Sequence, residues 1–172
     1  MKLVPVLMLA AVLVGGCGKS APQPAAPPPA APGEPTQAQP RLQTLKLWLG
    51  AEEMKTEVAA TLEQIRTGMM FRTEMGENEA MIFVFSVPHQ ASFWMKNTRV
   101  PLSAAYINPQ GVIAEIHDLQ PYNTNSVTAT GSNIQYVLET PQGWFQRHHV
   151  GVGTAVRTER GSLAQTFFSS RR

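Results

Sequence analysis

Apolar residues at alternating positions predict that the compact part of the chain begins with β-strands. Leu45, Leu47 and Leu49 recur at every second position, the period of a strand with one buried face. Residues 54–59 follow as its return strand. A continuous apolar run from Ala80 to Phe85 predicts a third strand, and its lack of alternation indicates that both of its faces are covered.

A short helix is predicted between the second and third strands. Thr61, followed three residues later by Gln64, has the form of a capping box, in which these side chains bond free backbone amides at the helix start. Leu62, Ile65 and Met69 are spaced to fall on one helical face. We therefore expect a short amphipathic helix here.

The clearest local signal is the four-residue turn at residues 108–111. Its Asn-Pro-Gln-Gly sequence carries the preferred residues of a type I turn, and the glycine in the left-handed region gives a bulged hairpin. Residues 102–107 and 112–117 flank the turn. We therefore predict that these two segments pair as antiparallel strands.

A second short helix is predicted from Thr140 to His149, after a strand over residues 133–139. Thr140 and Pro141 suit the cap and the first position of a helix, and Gly151 ends it. Short strands, tight turns and only two short helices predict a mainly β domain of the closed or sandwich-like kind.

Composition separates a globular domain from both ends of the chain. Residues 41–161 are predicted to form one β domain, which is long enough to bury a real core. Residues 162–172 end in a polar, basic stretch and are expected to form a flexible tail.

The charges of the domain nearly balance. From residue 41 onward there are 12 basic and 11 acidic residues, and the sequence contains no run of Lys or Arg that could bind along a phosphate backbone. We therefore expect a monomeric domain without a nucleic-acid partner.

Residues 1–16 resemble a bacterial lipoprotein signal peptide that ends before Cys17. Lys2 supplies the positive start, residues 3–14 supply a mostly apolar run, and two glycines precede the cysteine. The run is shorter than the about 20 residues that a helix needs to span a bilayer, so we expect the segment to be cleaved. Cys17, the single cysteine of the chain, is then the predicted lipidated first residue.

Residues 17–40 are predicted to be a disordered, Pro/Ala-rich tether behind that anchor. Eight prolines lie between Gly18 and Pro40, and proline favours an extended chain without backbone donors. We therefore expect a cell-envelope protein that binds the membrane through acylated Cys17. Gly18 stands where aspartate would favour inner-membrane retention, so an organism with two membranes is expected to carry it on the outer membrane, facing the periplasm.

Several sequence strings together resemble a known family. TGMMFR at residues 67–72, EAMIFVF at 79–85 and SFWMKNTRVPL at 92–102 resemble, in this order and spacing, the family of domains of unknown function numbered 192. The hairpin glycine Gly111 and the YVLE string at residues 136–139 continue the resemblance. The chain is thus similar to a small bacterial and archaeal domain that is often secreted or lipid-anchored.

This resemblance covers about residues 45–157 and implies a compact β-barrel-like or jelly-roll-like fold. It implies no established activity, and we expect no cofactor. After the Pro-Leu pair the family usually carries an aspartate, where this chain has Ser103. A family site that uses that carboxylate would be altered in this protein.

The candidate ligand-binding residues are Trp94, Lys96, Asn97, Thr98 and Glu139. Trp94 and Lys96 fall at alternate positions of a predicted strand over residues 92–97, so they share one face. An indole beside an ammonium can hold a planar or anionic ligand, and Glu139 can pair with Lys96 or complete a polar rim. The alternative is structural, with Trp94 at the core edge and the Asn97 and Thr98 side chains bonding turn backbone.

Three classes of function stay open from the sequence. The first is a non-catalytic module that binds a small polar ligand, a cell-wall component or an envelope protein. The second is a copper-handling lipoprotein, for which Met70 and Met75 are candidate thioether ligands. The histidines lack metal-site spacing, however, and we expect no metal site.

The third class is a hydrolase or lyase of unrecognised type. No nucleophile elbow or phosphate loop is present in the sequence. An acid–base pair could still be drawn from the carboxylates of the domain. Those considered are Glu79, Glu115, Asp118 and Glu139.

Overall fold

The computed structural model of the protein describes residues 33–169. The predicted signal peptide (residues 1–16), the lipidation site Cys17 and the tether as far as residue 32 lie outside this range. The last three residues of the predicted tail do so as well. Within residues 33–169, no helix is both long enough and apolar enough to cross a membrane.

Ten strands and three short helices make up this part of the chain. The strands are β1 (Thr44–Leu49), β2 (Glu52–Ala59), β3 (Glu79–His89), β4 (Ser92–Phe93), β5 (Leu102–Ile107), β6 (Ile113–Leu119), β7 (Val127–Thr128), β8 (Ile134–Pro141), β9 (Val156–Thr158) and β10 (Gly161–Ser162). The helices are α1 (Leu62–Thr67), α2 (Trp144–Arg147) and α3 (Leu163–Phe168). The predicted mainly β class is confirmed, with one helix more than expected.

Eight of the strands form one sheet in the order β10-β9-β1-β2-β3-β8-β5-β6, and β4 pairs separately with β7. Only β2 and β3 are parallel neighbours in this sheet, and their connection contains α1, since parallel pairing needs a crossover. A single bridge joins Val112, before β6, to Ala155, before β9. The sheet of residues 33–169 nevertheless stays open and does not close into a barrel.

The sheet has a hydrophobic core on each face, and β3 contributes to both. Ala80 and Ile82 belong to one cluster, whereas Met81 and Phe83 belong to the other. All four residues are at most 3% exposed, which confirms the two-sided cover predicted from the apolar run. We call the cluster with Met81 and Phe83 the α1-side core, because Ile65 of α1 packs against it.

Helix α1 begins as predicted. The Thr61 hydroxyl accepts a hydrogen bond from the Gln64 amide at 3.2 Å, and the Gln64 side-chain oxygen accepts one from the Thr61 amide at 3.0 Å. Ile65 and Met69 contribute to the α1-side core, but Leu62 is 75% exposed. The predicted helical face therefore holds at Ile65 alone, because Met69 is buried but lies beyond the end of α1 at Thr67.

The second predicted helix begins later than expected and is shorter. Thr140 and Pro141 belong to β8, where Thr140 pairs with Ser103 of β5. The prediction that Thr140 caps a helix is wrong, because its burial and its place in the ladder extend the strand beyond Glu139. Helix α2 follows Gly143, whose φ of +75° turns the chain out of the sheet.

The C-terminal segment differs from the flexible tail expected over residues 162–172. Ser162 and Gln165 form a capping box that starts α3. Leu163 is fully buried in the cluster that also contains Ala80 and Ile82, and Phe167 packs against that cluster. Burying one such leucine stabilises a fold by roughly 1.5–3 kcal/mol, so α3 is a part of the folded domain.

The last eight residues of the predicted tether, residues 33–40, also contact the domain. They form neither a helix nor a strand. The Gln39 side-chain amide donates to the backbone oxygens of Gln64 (3.2 Å) and Gly68 (2.9 Å), and Arg72 donates to the Pro40 oxygen at 3.1 Å. The compact unit therefore starts before Arg41, because the Gln39 bonds attach the 33–40 segment to the end of α1 and the Pro40 bond attaches it to Arg72.

Candidate functional site

The segment that carries the predicted site is a turn rather than a strand. Strand β4 ends at Phe93, and the Thr98 amide donates to the Met95 oxygen at 3.0 Å. Asn97 has a φ of +57°, a left-handed conformation that asparagine tolerates better than most residues. The prediction that Trp94 and Lys96 share a strand face is therefore wrong.

Trp94 and Lys96 nevertheless lie together, because the turn brings their side chains to one side. The Lys96 ammonium is 5.4 Å from the centre of the Trp94 ring, within the range of a cation–π interaction. Trp94 is 45% exposed, so much of its ring surface is open. The ammonium also forms an ion pair with the Glu34 carboxylate.

These side chains border a cleft of about 500 Å³. Of the five predicted site residues, Trp94, Lys96, Thr98 and Glu139 line it, and Asn97 does not. A volume of this size suits a small molecule. We call this space the cleft. The structure thus brings together four residues that the sequence places on two distant segments.

The apolar part of the cleft comes from aromatic and methionine side chains. Phe83, Phe85 and Phe93 line it. Phe93 packs edge-on against Phe83, with ring centres 4.9 Å apart, and against Phe85 at 6.4 Å. Met69 and Met70, which follow α1, complete this wall. A ligand would therefore meet an apolar surface beside the Lys96 charge.

Glu139 is the buried polar group of the cleft. It lies on β8 opposite Met81 and Ala104 and is only 4% exposed. Its Oε2 has no hydrogen-bond partner within residues 33–169. Burial disfavours the charged form and raises the pKa of Glu139 to about 8. At neutral pH this side chain is mostly a neutral carboxylic acid, which can donate a hydrogen bond.

Thr98 makes the side-chain contact with turn backbone that the alternative interpretation predicts, whereas Asn97 takes part through its backbone oxygen. The Asn97 backbone oxygen accepts from the Phe71 amide at 2.8 Å. The Thr98 hydroxyl donates to the Lys96 oxygen at 3.3 Å, and Thr98 is only 4% exposed. These bonds fix the turn that presents Lys96, so both residues position the candidate site, and Thr98 also lines it.

Ser103, where the family resemblance led us to expect an aspartate, lies on the opposite face of the sheet. Its neighbour Ala104 pairs with Glu139, and adjacent strand residues point to opposite faces. The Ser103 hydroxyl donates to Asp118 at 2.5 Å and accepts from the Gly143 amide at 2.8 Å. Ser103 therefore bonds the connection to α2 and does not line the cleft.

The candidates for copper and acid–base chemistry are dispersed. Met70 lines the cleft, but Met75 lines a different cavity. Within residues 33–169, no three His, Cys, Asp or Glu side chains cluster as a metal site would require. Glu115 pairs with His117 at 2.9 Å and does not line the cleft. Of the four carboxylates named for acid–base chemistry (Glu79, Glu115, Asp118 and Glu139), Glu139 alone lines it.

The fold and the site together define a small, mainly β protein with a ligand-sized cleft on one face of an open sheet. Residues 46–158 match the DUF192 family, described as "Uncharacterized ACR". The match spans most of the chain, and the protein belongs to this family.

Solved structures that are similar to the chain include the following two. One is a protein from Sinorhizobium meliloti 1021 called a "putative transcription regulator", with a TM-score of 0.62 and 27% identity, over 67% of this chain and 92% of that one. The other is a protein of unknown function from Novosphingobium aromaticivorans DSM 12444, with a TM-score of 0.65 and 29% identity, over 75% of this chain and 98% of that one. No curated protein has a significant match.

Sequence reasoning missed several residues of the cleft. Arg66, His89 and Glu34 line it but were not among the predicted site residues. Glu34 lies in a stretch whose composition indicates a disordered tether, so no local pattern could have placed it there. The helix pattern predicts that Arg66 is a polar position of α1, but the direction of its side chain depends on how α1 packs.

Proposed function

We propose that the protein is a lipid-anchored envelope protein whose cleft binds a small polar ligand without transforming it. The observation that carries this proposal is the joint lining of one cleft by the Trp94/Lys96 pair and by Glu139, whose Oε2 has no hydrogen-bond partner within residues 33–169. A buried polar group without a partner is costly, and a ligand that bonds it would recover that cost. The alternative ligands are a cell-wall component and an envelope protein, each with a polar group that can bond Glu139.

The chemistry of the cleft favours a ligand with a planar or apolar part and a polar part. The exposed ring of Trp94 and the phenylalanine wall offer stacking and apolar contact. Lys96 offers a charge-assisted hydrogen bond to an anionic group. The near balance of charge in the domain favours such a ligand over nucleic acid, which binds to basic surfaces, and the binding unit is proposed to be a monomer.

The binding proposal predicts loss of ligand in two cleft variants and not in a control. We expect Lys96→Ala and Trp94→Ala to fold normally, because an exposed charge contributes little stability. Losing a charge-assisted bond costs about 1.5–3 kcal/mol, so the Lys96 variant should bind about 10- to 100-fold more weakly. The measurement is thermal shift with a panel of small carboxylates, sugars and muropeptides, followed by calorimetry of the ligands found.

The matched control for this experiment is Lys46→Ala. Lys46 forms an ion pair with Glu53 at 2.7 Å on the surface, so this variant removes a paired lysine outside the cleft. It should keep the affinity of the unchanged protein. A ligand whose affinity survives both cleft substitutions would place the binding site elsewhere.

The anchor is proposed from the sequence of residues 1–17. We expect the protein to sediment with membranes, because several acyl chains on Cys17 give a stable anchor where one chain alone does not. Cys17→Ser should release the protein into the soluble envelope fraction or stall its processing. Fractionation with detection of the processed chain measures this. A Ser variant that is cleaved normally and still sediments with membranes contradicts lipid anchoring at Cys17.

One observation also favours an acid–base enzyme as a second candidate. Glu139 is a buried carboxyl with a raised pKa in a cleft, an arrangement that recurs at general acids. Such a role requires a reacting bond close to Glu139. Turnover of a ligand from the panel that is lost in Glu139→Gln, while binding is kept, would identify a hydrolase or lyase instead of a binding module.

A further inference from the structure

The chain itself places a carboxylate in the cleft. Glu34 and Pro35 line the space beside Lys96, and the Glu34 carboxylate forms the ion pair with the Lys96 ammonium. The Glu34 side chain is 18% exposed and the Lys96 side chain 35%, so the pair is partly shielded from water. The position beside Trp94 that suits the anionic group of a ligand therefore holds a carboxylate of the protein.

Contacts further along the 33–40 segment keep this carboxylate near the cleft. Gln39 is bonded to two backbone oxygens at the end of α1, and Pro40 is bonded to Arg72. Only four residues separate Glu34 from Gln39. A group tethered this closely has a high effective concentration, commonly in the millimolar range for short linkers. It competes with any dissolved anion for the same cation.

The charges around the cleft explain which groups can take the place of Glu34. Its lining contains five titratable residues, which are Glu34, Arg66, His89, Lys96 and Glu139. Because burial keeps Glu139 mostly protonated at neutral pH, that side chain does not repel an anion. Once Glu34 leaves, Arg66 and Lys96 give the lining a net positive charge. The neutral Glu139 acid can then donate a hydrogen bond to an incoming oxygen.

We infer that the ligand of the cleft carries a carboxylate next to an apolar or aromatic group, and that this carboxylate replaces Glu34 on Lys96. The inference rests on the proposed binding function and names the ligand class of that site. Binding then releases residues 33–36 from the cleft, while Gln39 and Pro40 stay attached. The segment next to the membrane tether thus reports whether the cleft is occupied.

The test uses two probes of nearly the same shape, the anion phenylacetate and the neutral amide phenylacetamide. We expect the full processed chain in detergent micelles to bind phenylacetate more tightly when it carries Glu34→Gln. Exposed ion pairs contribute about 0.2–1 kcal/mol, so the gain should be about 1.4-fold to fivefold. Affinities are measured by nuclear magnetic resonance titration, and ratios between variants cancel any partitioning of the probe into micelles. Phenylacetamide should bind both chains equally.

The matched control is Glu53→Gln, which removes a glutamate paired with a lysine outside the cleft and should leave phenylacetate affinity unchanged. Hydrogen exchange gives a second readout. Phenylacetate, or Glu34→Gln alone, should speed exchange over residues 33–36 and leave the amides after Pro40 as they were.

Equal phenylacetate affinity in the Glu34→Gln and unchanged chains would overturn the inference, as would failure of phenylacetate to bind the Glu34→Gln chain at all. These results are distinct from failure of the proposed function. If an uncharged ligand from the panel binds and is lost in Trp94→Ala, the cleft is a binding site and only the carboxylate competition is wrong. If every ligand found survives the cleft substitutions, both proposals fail.

Discussion

Arg72→Met is expected to reduce the free energy of unfolding by at most about 3–5 kcal/mol, the usual cost of removing one partner of a buried ion pair, because Arg41 and the Leu42 amide still bond the Glu57 carboxylate. Arg72 and Glu57 are each 8% exposed in their side chains. Two guanidinium nitrogens of Arg72 bond the two carboxylate oxygens of Glu57, at 3.3 and 3.0 Å. Urea denaturation at pH 7, compared with the unchanged chain, measures the loss.

Arg41 provides a control at the same carboxylate. It donates to Glu57 at 2.9 Å, but its side chain is 55% exposed. Arg41→Met should therefore cost no more than about 1 kcal/mol, as exposed pairs do. Replacing both partners, in Glu57→Gln/Arg72→Met, should recover much of the loss, because no buried charge is left over. Equal losses for the two arginine variants would show that burial does not set the strength of this pair.

The same pair gives the domain an acid sensitivity whose sign can be derived. Burial by itself raises the pKa of Glu57, but bonds from the Leu42 amide and from Arg41, with the nearby charge of Arg72, outweigh it and hold the pKa below its ordinary value. A carboxylate with a lowered pKa stabilises the fold above its unfolded pKa of about 4.3. That contribution is lost as pH falls through the lower, folded value.

The sequence predicts those parts of the fold that depend on local patterns. Period-two apolar residues identify β1, and the run from Ala80 to Phe85 identifies a two-sided strand. The Asn108 turn forms as expected, with Gly111 at a φ of +79° and its amide bonded to the Asn108 oxygen at 2.9 Å. Each of these signals involves residues close in sequence, which is why they hold.

The errors come from contacts between segments distant in sequence. Thr140 is a good helix cap by type, yet ladder pairing with Ser103 keeps it in a strand. Lys96 and Trp94 meet through a turn whose Asn97 oxygen is bonded by the distant Phe71 amide, and no alternation pattern describes that contact. Glu34 lies in a proline-rich stretch and reaches the cleft because Gln39 bonds the end of α1 and Pro40 bonds Arg72. Composition cannot report such contacts, since they depend on the finished shape of the domain.

Glu139→Gln is expected to stabilise the domain at alkaline pH, and by the largest amount of any single substitution considered. Burial raises the pKa of Glu139 to about 8, whereas an unfolded glutamate titrates near about 4.3. The folded state thus holds its proton more tightly, so the stability that this group contributes is complete below the unfolded pKa and is lost as pH rises towards the folded one. Each pH unit in that window costs about 1.4 kcal/mol, and the whole window about 5 kcal/mol.

Glutamine has nearly the same shape and does not titrate, so its contribution does not change with pH. The difference in unfolding free energy between Glu139→Gln and the unchanged chain should grow steadily from about pH 4.5 to about pH 8 and then level off. Denaturation series at pH 5, 7 and 9 measure this slope. Glu53→Gln, at a side chain that is 46% exposed, should give a nearly constant difference over the same range. A constant difference for Glu139→Gln as well would mean that water reaches this carboxylate, and the cleft would then repel the anionic ligand proposed for it.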